Sequence, residues 1–205
     1  MEKIKDAFPF NVPIFTEDFL KLFSQYSRTY VFQMIQKAVE SRELAQFSRG
    51  VYFLPRKTFY GFSTITADSV IERRFLEWDN DVFGIYSGLK LQNLFSVSTQ
   101  VPNVIEVVTN KETMRCRKIT IDGRDFILRQ SRVPINPMNV NAYMVLQLFS
   151  DLRPDTVLNG FARQKIKDFI FDNKITKDQL FSLSMNFPAR TIKEFIRTGL
   201  LNEIA

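Results

Sequence analysis

From Tyr30 onward, apolar side chains fall at Tyr30, Val31, Met34, Ile35, Ala38 and Val39, the spacing of one stripe along a 3.6-residue helix. Ser27 stands just before the stripe as a cap and sets the start of that helix. Its other side carries Arg28, Thr29, Phe32, Gln33, Gln36, Lys37 and Glu40. A shorter helix over 16–23 precedes it, with Thr16 as cap and Glu17 and Asp18 in the positively polarised first turn. Beyond it, Leu44 to Phe47 and Val51 to Leu54 read as two strands around Ser48-Arg49-Gly50, where Gly50 supplies the backbone freedom of the turn. Helix, turn, helix, hairpin is the order of a winged helix-turn-helix.

The pattern then mixes periods. Helices are predicted over 67–78 and 88–95, a strand over 104–109, and a hairpin of 115–121 with 124–129 across Asp122-Gly123, a favoured type I′ pair. Asn136-Pro137 opens a helix that runs to Leu152 and is apolar almost all round, the mark of burial. The tail predicts a helix over 154–171, a capping box from Thr176 to Gln179, and a helix over 188–198 stopped by Gly199. The fold class expected is α+β: an N-terminal winged helix-turn-helix, residues 1–66, followed by a mixed α/β C-terminal domain, residues 67–205, that ends in helices. No repeat or low-complexity linker interrupts the chain, and the segment from Pro55 to Ala67 is the expected boundary.

Composition narrows the chemistry. With 205 residues, 45% apolar and 24% charged, the chain can build a sizeable core. Lys and Arg number 28 against 22 Asp and Glu. Cut after Thr66 and after Leu152, the three segments carry net charges of +3, 0 and +3, so the two ends hold the whole excess. A basic surface of this kind suits a polyanionic partner. The absence of histidine and the single Cys116 remove Ser-His and Cys-His catalysis, His-containing metal sites, all-cysteine zinc sites and internal disulfides. Neither a dinucleotide fingerprint nor a phosphate-binding P-loop is present. The opening MEKIKDAFPFNVPIF has no signal-peptide core, and no run of about 18 apolar residues occurs. A cytoplasmic location without membrane contact is the expectation.

The helix from Ser27 to Glu40 with its basic hairpin is the strongest functional signal. A helix fits the major groove, where Arg bonds guanine bidentately and Gln bonds adenine, and residues near its N-terminus reach deepest. Arg28, Thr29, Gln33 and Gln36 are placed for that, with the capping Ser27 counted among the DNA-binding residues at the helix start, and Lys37 for phosphates. Arg49 at the hairpin tip suits the negative minor groove. The bland alternative is a solvated helix face, or a protein-docking module. A second basic segment, Arg115, Arg117, Lys118, Arg124, Arg129 and Arg132, offers another polyanion surface, although such charges also protect a sheet edge from aggregation, and the latter is preferred. Asp79 and Asp81 have the D-x-D spacing of a divalent-metal transferase or nuclease, but the further groups such a site needs are missing, and a solvated turn is the better reading. Cys116 reads as a small residue in a half-buried strand. Most of the 21 phenylalanines read as core. Phe32, on the outer helix face, is a candidate for base stacking.

The run IFTEDFLKLFSQYSRTYVFQMIQKAVESRELAQFSRGVYFLP, Ile14 to Pro55, resembles the N-terminal winged helix of the AbiEi-type antitoxins of type IV toxin-antitoxin (abortive infection) systems. Ser48-Arg49-Gly50-Val51-Tyr52-Phe53 looks like that family's "rGvY" wing strand. Gly84-Ile85-Tyr86-Ser87-Gly88-Leu89, with Leu94 and Thr99-Gln100-Val101-Pro102, is similar to the helix start and strand entry of its C-terminal domain. The resemblance spans most of residues 14–152. It implies a bacterial, non-enzymatic transcriptional repressor that binds double-stranded DNA at repeats in its own operon promoter. It further implies an antitoxin that counteracts a nucleotidyltransferase toxin without needing a stable complex. A monomer or weak homodimer with no cofactor or metal is the expectation. By resemblance the reading helix is Ser27 to Glu40 and the wing Leu44 to Leu54. A plain regulator or a winged-helix protein-interaction module is the alternative.

Overall fold

Two hydrophobic cores form along the chain, and the computed structural model, which describes residues 2–154 and 156–203, divides between Arg73 and Arg74 into one unit around each. The expected seam lay earlier, after Thr66. Both units mix helix and strand, and the chain is α+β, with helices prominent at its N-terminal and C-terminal ends.

In the first unit the order is α1 (Glu2–Ala7), β1 (Ile14–Phe15), α2 (Thr16–Leu22), α3 (Arg28–Glu40), β2 (Ala45–Ser48) and β3 (Val51–Phe53). The three strands form one antiparallel sheet in the order β1-β3-β2. A small hairpin, β4 (Lys57–Thr58) with β5 (Gly61–Phe62), and the short helix α4 (Ala67–Ile71) complete it. Val31, Ile35 and Ala38, the centre of the predicted stripe, are buried with Ile4, Ile14, Phe19, Phe23, Leu44 and Leu54. Each large apolar side chain so buried contributes about 1.5–3 kcal/mol. Tyr30, at the end of the stripe, instead stands exposed beside Tyr26, ring centroids 5.0 Å apart.

The expected Thr16 cap is replaced. Phe15 occupies the cap position of α2, its N–H donating to Asp18 Oδ2 at 2.8 Å, and Thr16 begins the helix. Asp18 also pairs at 2.8 Å with Arg73, a buried guanidinium that donates to the Pro13 carbonyl and lies over the rings of Phe8 and Phe15. Burial lowers the Arg73 pKa, and the Asp18 charge opposes that shift.

The predicted helix over 67–78 is shorter. After α4, capped reciprocally by Thr66 and Ser69, the chain widens into a π-helical turn, Glu72–Leu76. It then pairs as β6 (Glu77–Trp78) with β7 (Asp81–Val82) around Asp79, whose φ is +59°. Asp-Asn turn chemistry ends the helix there.

The second unit is built on a four-stranded sheet, β10-β11-β9-β8, formed by β8 (Gly84–Ser87), β9 (Val104–Thr109), β10 (Arg117–Ile121) and β11 (Arg124–Gln130). β9 and β11 run parallel and the other pairs antiparallel. Positive φ at both Asp122 and Gly123 closes the β10–β11 hairpin, the type I′ requirement. Helix α5 (Gly88–Leu94) follows β8 directly, and α6 (Val140–Asp151) buries every residue from Ala142 to Phe149 except the half-buried Met144. It packs against β8, α5, α7 (Gly160–Asp172), α8 (Lys177–Ser184) and α9 (Ala189–Arg197).

Two starts fall later than expected. The Asn136 side chain accepts from Met138 N and Asn139 N, holding a turn ahead of α6 and leaving Met138 exposed. Asn159, whose Oδ1 accepts from Ala162 N at 2.7 Å, caps α7 well beyond Pro154; Asp155, within the predicted helix, lies outside the described residues. The capping box of Thr176 and Gln179 and the left-handed Gly199 after α9 are both present.

Candidate nucleic-acid interface

Ser27 begins α3 in extended geometry, and its Oγ accepts from Tyr30 N at 3.3 Å. With Val31, Ile35 and Ala38 turned into the core, the opposite residues Arg28, Thr29, Phe32, Gln33, Gln36, Lys37 and Glu40 are all exposed. No acidic residue lies in the first turn of α3, and Arg28 is its first residue. A cation at the positive end of a helix costs about 0.3–1 kcal/mol. The Arg28 guanidinium lies over the Phe32 ring, 5.6 Å from its centroid. At the far end, Gln36 Nε2 donates to Glu40 Oε1 at 3.1 Å. Donors thus line the outer face from Arg28 at the start of the helix to Lys37 in its last turn, where the Glu40 carboxylate also sits.

The hairpin beside α3 is anchored. Gly50 adopts φ +76°, and its carbonyl accepts from Thr16 N at 3.1 Å and from the Thr16 hydroxyl at 3.4 Å. The residue read as a helix cap therefore ties the turn to the start of α2. The ladder slips between Gln46 and Ser48, and Gln46 Nε2 donates to Ser48 O. Arg49 is exposed in this held turn. A cleft lined by Phe32, Ile35, Gln36, Val39, Gln46 and Tyr52 runs between α3 and the hairpin. Helix and hairpin bring all seven expected residues, Ser27, Arg28, Thr29, Gln33, Gln36, Lys37 and Arg49, into one unit in exposed positions.

The stretch from Pro55 to Ala67, read from sequence as a connection, holds the β4–β5 hairpin instead. Phe59 and Tyr60 at its tip are 95% and 96% exposed. The signal was present in Thr58-Phe59-Tyr60-Gly61, two aromatic residues followed by a glycine that takes φ +125°, but composition alone does not tell an exposed ring from a buried one.

In the second unit at least three of the six basic residues of the segment pair with carboxylates. Arg117 pairs with Glu112 at 2.8 Å, Lys118 with Asp125 at 2.6 Å, and Arg129 with Glu106 at 3.0 Å. Hydrogen bonds from Lys118 and Thr120 hold the Asp125 carboxyl below its usual range. β10 is an edge strand, where charge discourages pairing with other chains. Cys116 is exposed just before β10 rather than half-buried within a strand. Asp79 and Asp81 are exposed around the β6–β7 turn, and among the described residues no group of three or more His, Cys, Asp or Glu could hold a metal. Among the described residues no helix is long and apolar enough to cross a membrane. No protein-family model matches the chain, and no curated protein or solved structure matches it either.

Proposed function

We propose that the first unit is a winged helix that binds double-stranded DNA, with α3 in the major groove and the Arg49 turn on the adjacent minor groove. The element order helix, strand, helix, helix, strand, strand and the sheet order β1-β3-β2 support the winged-helix reading. The observation that carries DNA binding is the outer face of α3: Arg28, Thr29, Gln33, Gln36 and Lys37 all exposed, with Arg28 set at the positive end of the helix. An isolated helix is stabilised by the opposite charge there, whereas guanine acceptors or a phosphate relieve the conflict. Arg28, Thr29, Gln33 and Gln36 read bases, Ser27 holds the helix start, and Lys37 and Arg49 meet the backbone and minor groove.

The chain acts without catalysis, in the cytoplasm, as a repressor of its own promoter. The resemblance over Ile14 to Leu152 supports the further reading that the second unit counteracts a nucleotidyltransferase toxin. The test is fluorescence anisotropy with labelled duplex from upstream of the protein's own gene and with a scrambled duplex. Tighter binding to the upstream duplex is expected, with log affinity falling against log salt by about 0.9 per phosphate neutralised. Equal affinity for both duplexes removes the repressor reading, and no binding to either removes DNA recognition.

A further inference from the structure

The tip of the β4–β5 hairpin carries two aromatic rings that the fold does not use. Phe59 and Tyr60 are almost fully exposed and touch mainly each other, edge to face, with centroids 5.3 Å apart and planes at 83°. Burying such rings would stabilise the fold by about 1.5–3 kcal/mol each, so their position gains the isolated chain nothing.

The base of the hairpin is fixed. Arg56 N donates to Ser63 Oγ at 2.8 Å, Ser63 N donates to Arg56 O at 3.0 Å, and the Ser63 hydroxyl donates to Asn11 Oδ1. Asn11 N reaches Leu54 O at 3.0 Å, and the Arg56 guanidinium lies over Phe10. Thr58 Oγ1 donates to Gly61 O at 2.9 Å across the tip. A braced stem therefore presents two free rings.

Charge narrows the partner to a polyanion. From Leu44 to Ala67 the sequence has no Asp or Glu, and it includes Arg49, Arg56 and Lys57. The Arg49 turn and this hairpin leave β3 at opposite ends. Resting on the DNA-binding reading of α3, we propose that the Phe59-Tyr60 tip is a second duplex contact that wedges one ring between adjacent base pairs from the minor groove. Arg56 and Lys57 meet the flanking phosphates. Apolar side chains inserted in this way unstack a step and kink the duplex. Rings at 83° cannot both lie parallel to the bases, so one enters the stack and its neighbour rests on the sugars of the groove wall. Pyrimidine–purine steps unstack most easily and are the preferred targets. An anionic lipid surface shares the charge and the apolar component, but it has no use for Thr29, Gln33 and Gln36, exposed on α3 of the same unit.

The test uses the full chain and its upstream duplex with 2-aminopurine placed in turn at each TA and CA step. Binding of the wild type is expected to raise the fluorescence at one step as that base unstacks. The Phe59→Ala/Tyr60→Ala variant should lose the rise and bind about ten-fold more weakly or worse. Phe59→Leu/Tyr60→Leu, which keeps an apolar wedge, should retain most of the rise. Because both rings are exposed, unchanged thermal unfolding is expected for all three proteins. Wild-type affinity and an unchanged fluorescence rise in the alanine variant would overturn the wedge and leave the α3 reading standing. Failure of the wild type to bind duplex overturns both. A variant that loses only its binding to phosphatidylcholine–phosphatidylserine vesicles overturns the wedge in favour of a membrane contact.

Discussion

The guanidinium of Arg28 lies over the ring of Phe32, 5.6 Å from its centroid and about one helical turn further along the outer face of α3. Such an exposed cation–π contact contributes about 0.5–1 kcal/mol, and it narrows the range of positions open to a long side chain. Arg28→Ala should therefore cost about 1–3 kcal/mol on the cognate duplex and relax base preference while barely changing random-sequence binding. Lys37→Ala should weaken both duplexes alike and reduce the salt slope by about one. Anisotropy titrations on the two duplexes at several salt concentrations separate these effects. If the two variants behave alike, the assignment of base and phosphate contacts is wrong.

A different pair governs the stability of the first unit. Arg73 is buried and Asp18 is mostly so, and Asp18 also accepts from Phe15 N at the start of α2. Removing one partner of such a pair strands the other, at a cost of about 3–5 kcal/mol. Asp18→Leu should lower the stability of this unit by about that amount in urea unfolding, and Arg73→Met/Asp18→Leu should recover most of the loss. A double variant as unstable as the single one would show that the pair's geometry, rather than its unbalanced charge, holds β1 to α2.

Gly84 opens β8 where there is no room for a side chain. A Cβ there would come within 2.0 Å of the Phe75 carbonyl oxygen and 2.9 Å of the Val108 carbonyl oxygen, so backbone must move. Gly84→Ala should destabilise the second unit by about 2 kcal/mol or more. Calorimetry should show the loss in that unit's transition, with the affinity of the first unit for duplex unchanged. Loss of duplex binding would mean that the two units do not act separately.

What the sequence discloses depends on how local the cause is. α3 was legible because Ser27 caps it and Val31, Ile35 and Ala38 repeat at the helical period, all within a few turns of chain. Asp122-Gly123 disclosed its hairpin for the same reason. Thr16 has the chemistry of a cap, but its partner, Gly50, lies far along the chain, and Asp18 accepts from the Phe15 N–H at the helix start instead. The π-helical turn from Glu72 and the late start of α6 at Val140 were hidden because apolar spacing does not separate α from π turns, and Asn136 serves a turn as readily as a cap. For the candidate interface, α3 and Arg49 could be located from pattern and charge, whereas the exposure of Phe59 and Tyr60 is set by the fold around them.

Two carboxyls of the second unit should give opposite dependences of stability on pH. Burial tends to raise the Glu112 pKa, but hydrogen bonds from Met114 N, Arg117 and Thr113 N together with the Arg117 charge outweigh it, and the value is lowered. Its stabilisation is present above the unfolded value of about 4.3 and is lost as pH falls through the folded value. For Asp151, burial prevails over the hydrogen bonds from Gly88 N and Gln147, with Glu106 adding repulsion and Arg129 opposing it, and the pKa is raised. Its contribution is fully present below the unfolded value of about 3.9 and is lost as pH rises through the folded value. Glu112→Gln should cost about 1–3 kcal/mol at neutral pH, a deficit that shrinks on acidification. Asp151→Asn loses one of two acceptors at every pH but gains on the wild type as pH rises above about 4. Urea unfolding of both variants from acid to neutral pH reads the two slopes directly. Slopes of the same sign would mean that burial does not govern Asp151.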